Sequence, residues 1–331
     1  MEGPGRDGGP AAPAEQGPAA AGPVGFLGPE GTFTEEALLA LFGEEGSEPV
    51  AFPSIAEVLR AAEEGAVAAG VVPIENSIEG TVAATIDHLV FDSDLLIQAE
   101  VVLDVHLYLL GPPGLALEEV RSVVSFPHAT AQCRRFLREQ LGEPAVVAAN
   151  STAEAARLLA EQRPAGSAAI ATRLAAQLYG LETLAEQVED YAGNQTRFLA
   201  VAPGRIPPPT GHDKTSVVCF QRQDHPGSLH EILGQFSARS LNLTKIESRP
   251  TKRSLGEYCF TIDLEGHVSD EVVGDCLAEL HATVGDCKFL GSYPAAGPQG
   301  AGRREQVSAR RSSARRWLAG LRRLVDESSL A

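Results

Sequence analysis

Two short runs of this chain carry side chains suited to handling a small acid. The first is GNQTRF, residues 193–198. Gly193 and Asn194 make a turn, and Thr196, Arg197 and Phe198 then open an apolar run. A guanidinium can clamp a carboxylate with two parallel bonds. A threonine hydroxyl beside it can donate a hydrogen bond to a second oxygen. The second run is VVPIENSIEGT, residues 71–81, where a strand ends on Pro73, Glu75 and Asn76 and gives way to Ser77. Both runs also fit plain turns with satisfied side chains, and the residues alone leave that open. Hydroxyl residues recur where strands yield to helices: Thr32 and Thr34, Ser125, Ser151 and Thr152, and Thr172. Singly, each reads as a helix cap. Together they place unpaired N–H groups and positive helix ends around a crevice, which suggests a small anionic ligand.

Other chemistries find less support. The five cysteines are odd in number and include no C-x-x-C pair. A metal centre and a disulfide framework are therefore not expected. No histidine is placed beside a cysteine as a base, so a thiol nucleophile is not expected either. The formal charge is -17, which disfavours nucleic acid and anionic lipid as partners. No apolar run approaches the roughly 20 residues of a membrane helix. The start, MEGPGRDGG, lacks a basic segment followed by an apolar one, so a cytoplasmic location is expected.

The elements that must position these residues follow from periodicity. Residues 1–23 are mostly Gly, Pro and Ala, and are expected to be disordered. From Val24, short apolar strands alternate with helices. Thr32 and Glu35, then Ser54 and Glu57, have capping-box spacing. Residues 99–110 alternate with period two, which predicts one long strand able to cross between two lobes. A helix is predicted over 128–141. Regular β-α alternation predicts parallel sheet over 24–203. A proline-rich linker, 204–213, should be extended. Residues 214–293 read β-α-β-β-α-β, the ferredoxin-like order. The tail, 294–331, holds eight arginines, with Trp317, Leu318, Leu321, Leu324 and Val325 at helical spacing. That pattern predicts an amphipathic helix docked on the acidic body.

In sequence order, GFLGPEGTFTEEA, VVPIENSIEGT, SFPHATAQC, AIATRLAAQLYGL and NQTRF resemble the prephenate dehydratases. PGSLHEIL and ESRPTK resemble the ACT regulatory domain that those enzymes carry. The resemblance spans about Val24 to Tyr293. It implies two α/β lobes of the type II periplasmic-binding-protein kind over 24–203, followed by a ferredoxin-like α+β ACT domain over 214–293. It implies loss of water and carbon dioxide from prephenate to give phenylpyruvate on the route to phenylalanine, with no cofactor. It implies Thr196 as the catalytic donor. Substrate contacts are expected from Asn76, Ser77, Glu75, Arg197, Phe198, His128, Thr172, Thr32 and Ser151. Relatives often read Ser-His-Pro-Gln where this chain has Ser125, Phe126, Pro127 and His128. His128 either replaces that glutamine as a donor or merely starts a helix. Phenylalanine is implied as an effector at a seam between two copies, bound by Gly227, Ser228, Leu229, Glu247, Ser248, Arg249 and Pro250. A homodimer or homotetramer is expected.

Rival readings are an arogenate dehydratase, with an amine in place of the keto group, and a non-catalytic small-anion-binding protein. A chorismate mutase domain would need more than the low-complexity start. An aromatic amino acid hydroxylase would need spaced iron-binding histidines.

Overall fold

Helices begin where small hydroxyl residues can accept an otherwise orphaned N–H. Thr32, Ser54, Ser151 and Thr172 each accept from the backbone amide three residues on, at 3.4, 3.3, 2.9 and 2.9 Å. The glutamates at the third helical position add a variation. Glu35 accepts from the Gly31 amide and Glu154 from the Asn150 amide, each one residue before the cap.

The computed structural model describes residues 22–44, 46–221, 225–252, 256–283 and 285–297, together with 316, 317 and 320. The expected tail 1–23 lies outside the described residues up to residue 21, and Pro23 already belongs to a strand. Most of the arginine-rich tail also lies outside them. Arg316, Trp317 and Gly320 are helical, and Trp317 is exposed. The chain divides between Pro207 and Pro208 into two units.

The first unit has two lobes. Lobe one contains β1 (Pro23–Leu27), α1 (Phe33–Phe42), β2 (Glu48–Phe52), α2 (Ile55–Glu63), β3 (Ala69–Asn76), β4 (Gly80–Thr81), α3 (Ala83–Asp87) and β5 (Leu96–Asp104). Lobe two contains β6 (Tyr108–Gly111), β7 (Ser122–Ser125), α4 (Pro127–Gln132), α5 (Arg134–Leu141), β8 (Ala145–Ala148), α6 (Thr152–Gln162), β9 (Ser167–Ala171), α7 (Arg173–Tyr179) and β10 (Glu182–Ala185). The chain then returns to lobe one as β11 (Gln195–Ala202).

The predicted parallel pairing holds for β1 with β2 and β3 and for β7 with β8 and β9, but both sheets are mixed. In lobe one the order is β2-β1-β3-β11-β5, and β11 runs antiparallel to both neighbours. In lobe two the order is β10-β6-β9-β7-β8, with β6 and β10 antiparallel. Lobe one closes over Phe26, Leu38, Val71 and Phe198. The second sheet is covered on both faces. Leu107 and Leu109 enter one core and Tyr108 and Leu110 the other, as the two-residue period requires.

Two predicted elements are broken. The long strand over 99–110 becomes β5 and β6, which belong to different sheets. Between them the Val105 amide donates to the Asn194 carbonyl at 2.7 Å. The Leu107 amide donates to the Glu189 carboxylate at 2.9 Å. The outward and returning crossings thus bond to each other. The helix over 128–141 breaks at buried Cys133, whose φ of -117° is not helical. Asp190 satisfies what the break frees. Its amide donates to the Gln132 carbonyl at 2.6 Å, and its carboxylate accepts from the Arg135 amide at 3.0 Å.

The lobes also meet away from the crossings. Thr172 Oγ1 donates to the Gly31 carbonyl at 2.6 Å, and the Tyr179 hydroxyl donates to the Glu30 carbonyl at 3.0 Å. Gly31 has φ +87°, and a Cβ there would lie 3.0 Å from Ala175 Cα, so both backbone conformation and space demand glycine.

The second unit contains β12 (Asp213–Gln221), α8 (Ser228–Ala238), β13 (Leu243–Pro250), β14 (Tyr258–Glu265), α9 (Glu271–Thr283) and β15 (Gly285–Pro294). Strand order β13-β14-β12-β15, all antiparallel, is the ferredoxin-like arrangement. Val217, Cys219, Ile262 and Leu264 pack one sheet face against Ile232, Phe236, Cys276 and Leu280 of the helices. Asp213, expected to end the linker, instead starts β12, because its carboxylate accepts the Thr210 and Gly211 amides.

Glu36 on α1 is pushed up to about 7 by burial, an effect opposed by the Leu174 amide of the other lobe. The folded chain therefore holds a proton that the unfolded chain releases near 4.5. Stability contributed by this group falls as pH rises between those two values, and the penalty persists above them. Glu36→Gln is expected to add on the order of 2 kcal/mol of stability at pH about 8, seen as a higher melting midpoint, and to leave the midpoint nearly unchanged at pH about 4. Thermal melts at both values check this.

Candidate active site

The ends of β3 and β11 meet where the chain crosses between lobes. Thr196 pairs with Asn76 across these antiparallel strands. Asn76 is held by four hydrogen bonds. Its Oδ1 accepts from the Ile78 amide at 2.9 Å and the Glu79 amide at 3.0 Å. Those amides can only donate, so they fix which side of the carboxamide is oxygen. Its Nδ2 then donates to Thr196 Oγ1 at 2.8 Å and to Asn194 Oδ1 at 2.9 Å. The same logic passes along. Asn194 Nδ2 donates to Gln132 Oε1 at 3.1 Å, which leaves Gln132 its amide N–H groups.

These residues floor a cleft of about 790 Å³ between the lobes. Of the residues predicted from sequence, Thr196, Asn76, Phe198, His128, Thr32 and Ser151 line it. Phe198 is buried and supplies wall rather than chemistry. Thr34, 5% exposed, also lines the cleft, and among the described residues no hydrogen-bond partner is seen for its hydroxyl. From the opposite lobe come Asn150, Ser151 and Thr152 at the start of α6, with Arg157 on its next turn.

Four predicted contacts are not brought to the cleft. Arg197 follows Thr196 in a strand, so its side chain leaves on the other face. There its Nε lies 2.6 Å from Glu100, whose side chain is 1% exposed, and a guanidinium nitrogen lies 3.8 Å from Glu75. Glu75 is thus Arg197's partner across β3 rather than a lining residue. Ser77 accepts from the Gln195 amide at 2.9 Å and braces the β3–β11 junction. Thr172 is buried in the lobe seam, where it caps α7 and binds Gly31. Sequence reasoning read Asn194 only as a turn residue and passed over Gln132 and Arg157. Asn194 is 4% exposed and accepts from Asn76, and its place two residues before Thr196 was the one signal for it in the sequence.

Burial pushes the Cys133 thiol up, which does not favour a nucleophilic thiolate beside Gln132. Among the described residues, no group of three His, Cys, Asp or Glu side chains is placed to hold a metal ion. No described helix is long and apolar enough to cross a membrane.

In the second unit, Gly227, Ser228 and Leu229 line a pocket of about 460 Å³ with His225, His230 and Tyr258. Gly227 has φ +101°, which lets the chain turn into α8. Glu247, Ser248, Arg249 and Pro250 lie on edge strand β13 and do not line that pocket within one chain. Glu247 accepts from Arg249 at 2.9 Å. Pro250 pairs with Tyr258, so the two sets approach each other at that point.

Comparison with known proteins adds the chemistry's name. Residues 24–205 match the family model described as prephenate dehydratase, and residues 215–282 match the ACT domain. The chain is 42% identical over 310 residues to a prephenate dehydratase of Mycolicibacterium smegmatis, covering 90% of this chain and 97% of that one. It superposes on a crystal structure of prephenate dehydratase in complex with L-Phe from Arthrobacter aurescens at TM-score 0.79 and 39% identity, covering 91% of this chain and 99% of that one. A structure described as GqqA, a novel type of quorum quenching acylase, is also similar, with TM-score 0.73 and 31% identity, covering 83% of this chain and 98% of that one. One fold therefore carries differently described activities, and the side chains in the cleft must select the reaction. The two family models and the relatives' length and identity agree: the chain belongs to the prephenate dehydratase family, with an ACT domain following the two-lobed part.

Proposed function

We propose that the chain converts prephenate to phenylpyruvate, water and carbon dioxide in the cleft between its lobes, with Thr196 as the catalytic residue. One observation carries this reading: Asn76 Nδ2 donates to Thr196 Oγ1 at 2.8 Å. An amide NH₂ cannot accept, so the threonine oxygen is the acceptor and its proton remains to be given elsewhere. That proton is shared with the ring hydroxyl as it departs with the C–O bond pair; the leaving hydroxide becomes water, and a proton from solvent restores the threonine hydroxyl. The electron pair of the bond to the ring carboxylate moves into the ring, carbon dioxide leaves, and the ring becomes aromatic. Little more than orientation and one donor is asked of the protein.

Asn76, Asn194 and Gln132 position that donor. Thr32, Thr34 and Ser151 stand at two helix starts, whose N–H groups suit the side-chain carboxylate. Phe198 supports the ring, and His128 lies at the mouth. Arg197, Glu75, Ser77 and Thr172 act through structure. Residues 24–203 are the catalytic part and 204–212 the linker. Residues 213–293 are the part that binds phenylalanine, through Gly227, Ser228 and Leu229 of one copy with Glu247, Ser248, Arg249 and Pro250 of another. The assembly is a homodimer or homotetramer in the cytoplasm.

Two substitutions separate chemistry from architecture. Thr196→Ala is expected to lower kcat for phenylpyruvate formation by about 100-fold or more, the scale of one lost acid–base group, while the melting midpoint is kept. Near-parental turnover would remove Thr196 from the mechanism. Arg197→Met leaves the Glu100 carboxylate buried without its guanidinium, and is expected to cost about 3 kcal/mol in denaturant unfolding. Titration calorimetry of the full chain with phenylalanine should show binding that Gly227→Val abolishes. No heat from the parent would sink the effector reading.

A further inference from the structure

Glu79 and His128 face each other across the mouth of the cleft from opposite lobes. Glu79 lies in the turn between β3 and β4, and His128 lies in the first turn of α4. His128 Nδ1 is 2.7 Å from Glu79 Oε1, and the two side chains are 61% and 44% exposed. A polar contact this exposed adds little to folding stability. Its placement is the notable feature, because both residues line the cleft. Contacts at the cleft's back and floor, Thr172 with Gly31 and Gln132 with Asn194, are more buried.

Each partner is held on its own side. The Phe126 ring stacks on the His128 ring, with centroids 5.3 Å apart and planes 22° from parallel. The Glu79 amide donates to Asn76 Oδ1 at 3.0 Å. The other end of that same carboxamide binds Thr196. The mouth and the reacting threonine therefore share one rigid amide.

We propose that His128 and Glu79 form a clasp that closes the two lobes over the substrate and, through Asn76, steadies Thr196. Both are positioning residues, and the inference rests on the reading of this cleft as the prephenate site. Closure excludes water and commits the bound molecule, as hinged lobes do in other proteins. Other charged groups lining the cleft are Glu154 and Arg157 of α6, which pair mainly with groups of their own helix region. Glutamine at position 128 keeps a donor for Glu79, whereas alanine does not.

Two readouts on the full chain test this. In steady-state turnover of prephenate, His128→Ala and Glu79→Ala should each lower kcat/KM about 10-fold. The double variant should be no worse than either single, and His128→Gln should recover most of the loss. Losses that multiply in the double variant, or a glutamine variant as poor as alanine, would overturn the clasp and leave His128 acting on the substrate alone. Hydrogen exchange at the Ile78 and Glu79 amides reads the clasp without turnover. His128→Ala should speed it roughly 10-fold, and unchanged exchange overturns the proposal. If the parent consumes no prephenate but exchange responds, the clasp stands and the substrate assignment falls.

Discussion

The arrangement turns on one carboxamide. Asn76 has two donors and one oxygen, and all are engaged. Because backbone amides fix the oxygen, the NH₂ must face Thr196, and the threonine must offer its proton outward. A half-buried carboxamide with every bond made is held in one orientation. The Thr196 hydroxyl thus has a defined direction before any substrate arrives, which is what the catalytic role proposed for it requires. The register Thr196↔Asn76 depends on β11 returning antiparallel between β3 and β5. The two-lobed path of the chain is therefore a condition for the site, as well as a container for it.

Much of this was legible in the sequence, and the remainder was hidden for identifiable reasons. Caps at Thr32, Ser54, Ser151 and Thr172 follow from local chemistry and appear where expected. So does the ferredoxin-like order over 214–293. The parallel-sheet expectation held for β1 with β2 and β3 and for β7 with β8 and β9, and missed the antiparallel strands because local β-α alternation contains no information about a strand that leaves one sheet and later returns to it. The long strand over 99–110 showed the right period, but period alone does not show which sheet each half joins. Arg197 was a different kind of miss. Alternation within a strand already implies that Thr196 and Arg197 face opposite ways. What the sequence could not supply was Glu100, distant in the chain, as the partner waiting on the other face. Gln132 and Asp190 likewise gain meaning only once the helix is seen to break at Cys133.

The two units divide the labour along a physical line. The lobed unit holds polar groups around a cleft with a hydroxyl donor at its floor. The ferredoxin-like unit offers a glycine-opened pocket beside an edge strand, and the residues proposed to bind the effector are split between these two places. That split is what binding at a seam between copies would require, since a ligand favours the arrangement that completes its pocket.

A crystal structure with a prephenate analogue that keeps the ring hydroxyl but cannot eliminate tests the central claim most directly. Thr196 Oγ1 should lie about 2.7–2.8 Å from that hydroxyl oxygen, with the Asn76 carboxamide still donating from behind. An analogue seated with its hydroxyl beyond about 4 Å from Thr196 in closed lobes, or Asn76 turned away from the threonine, would contradict it.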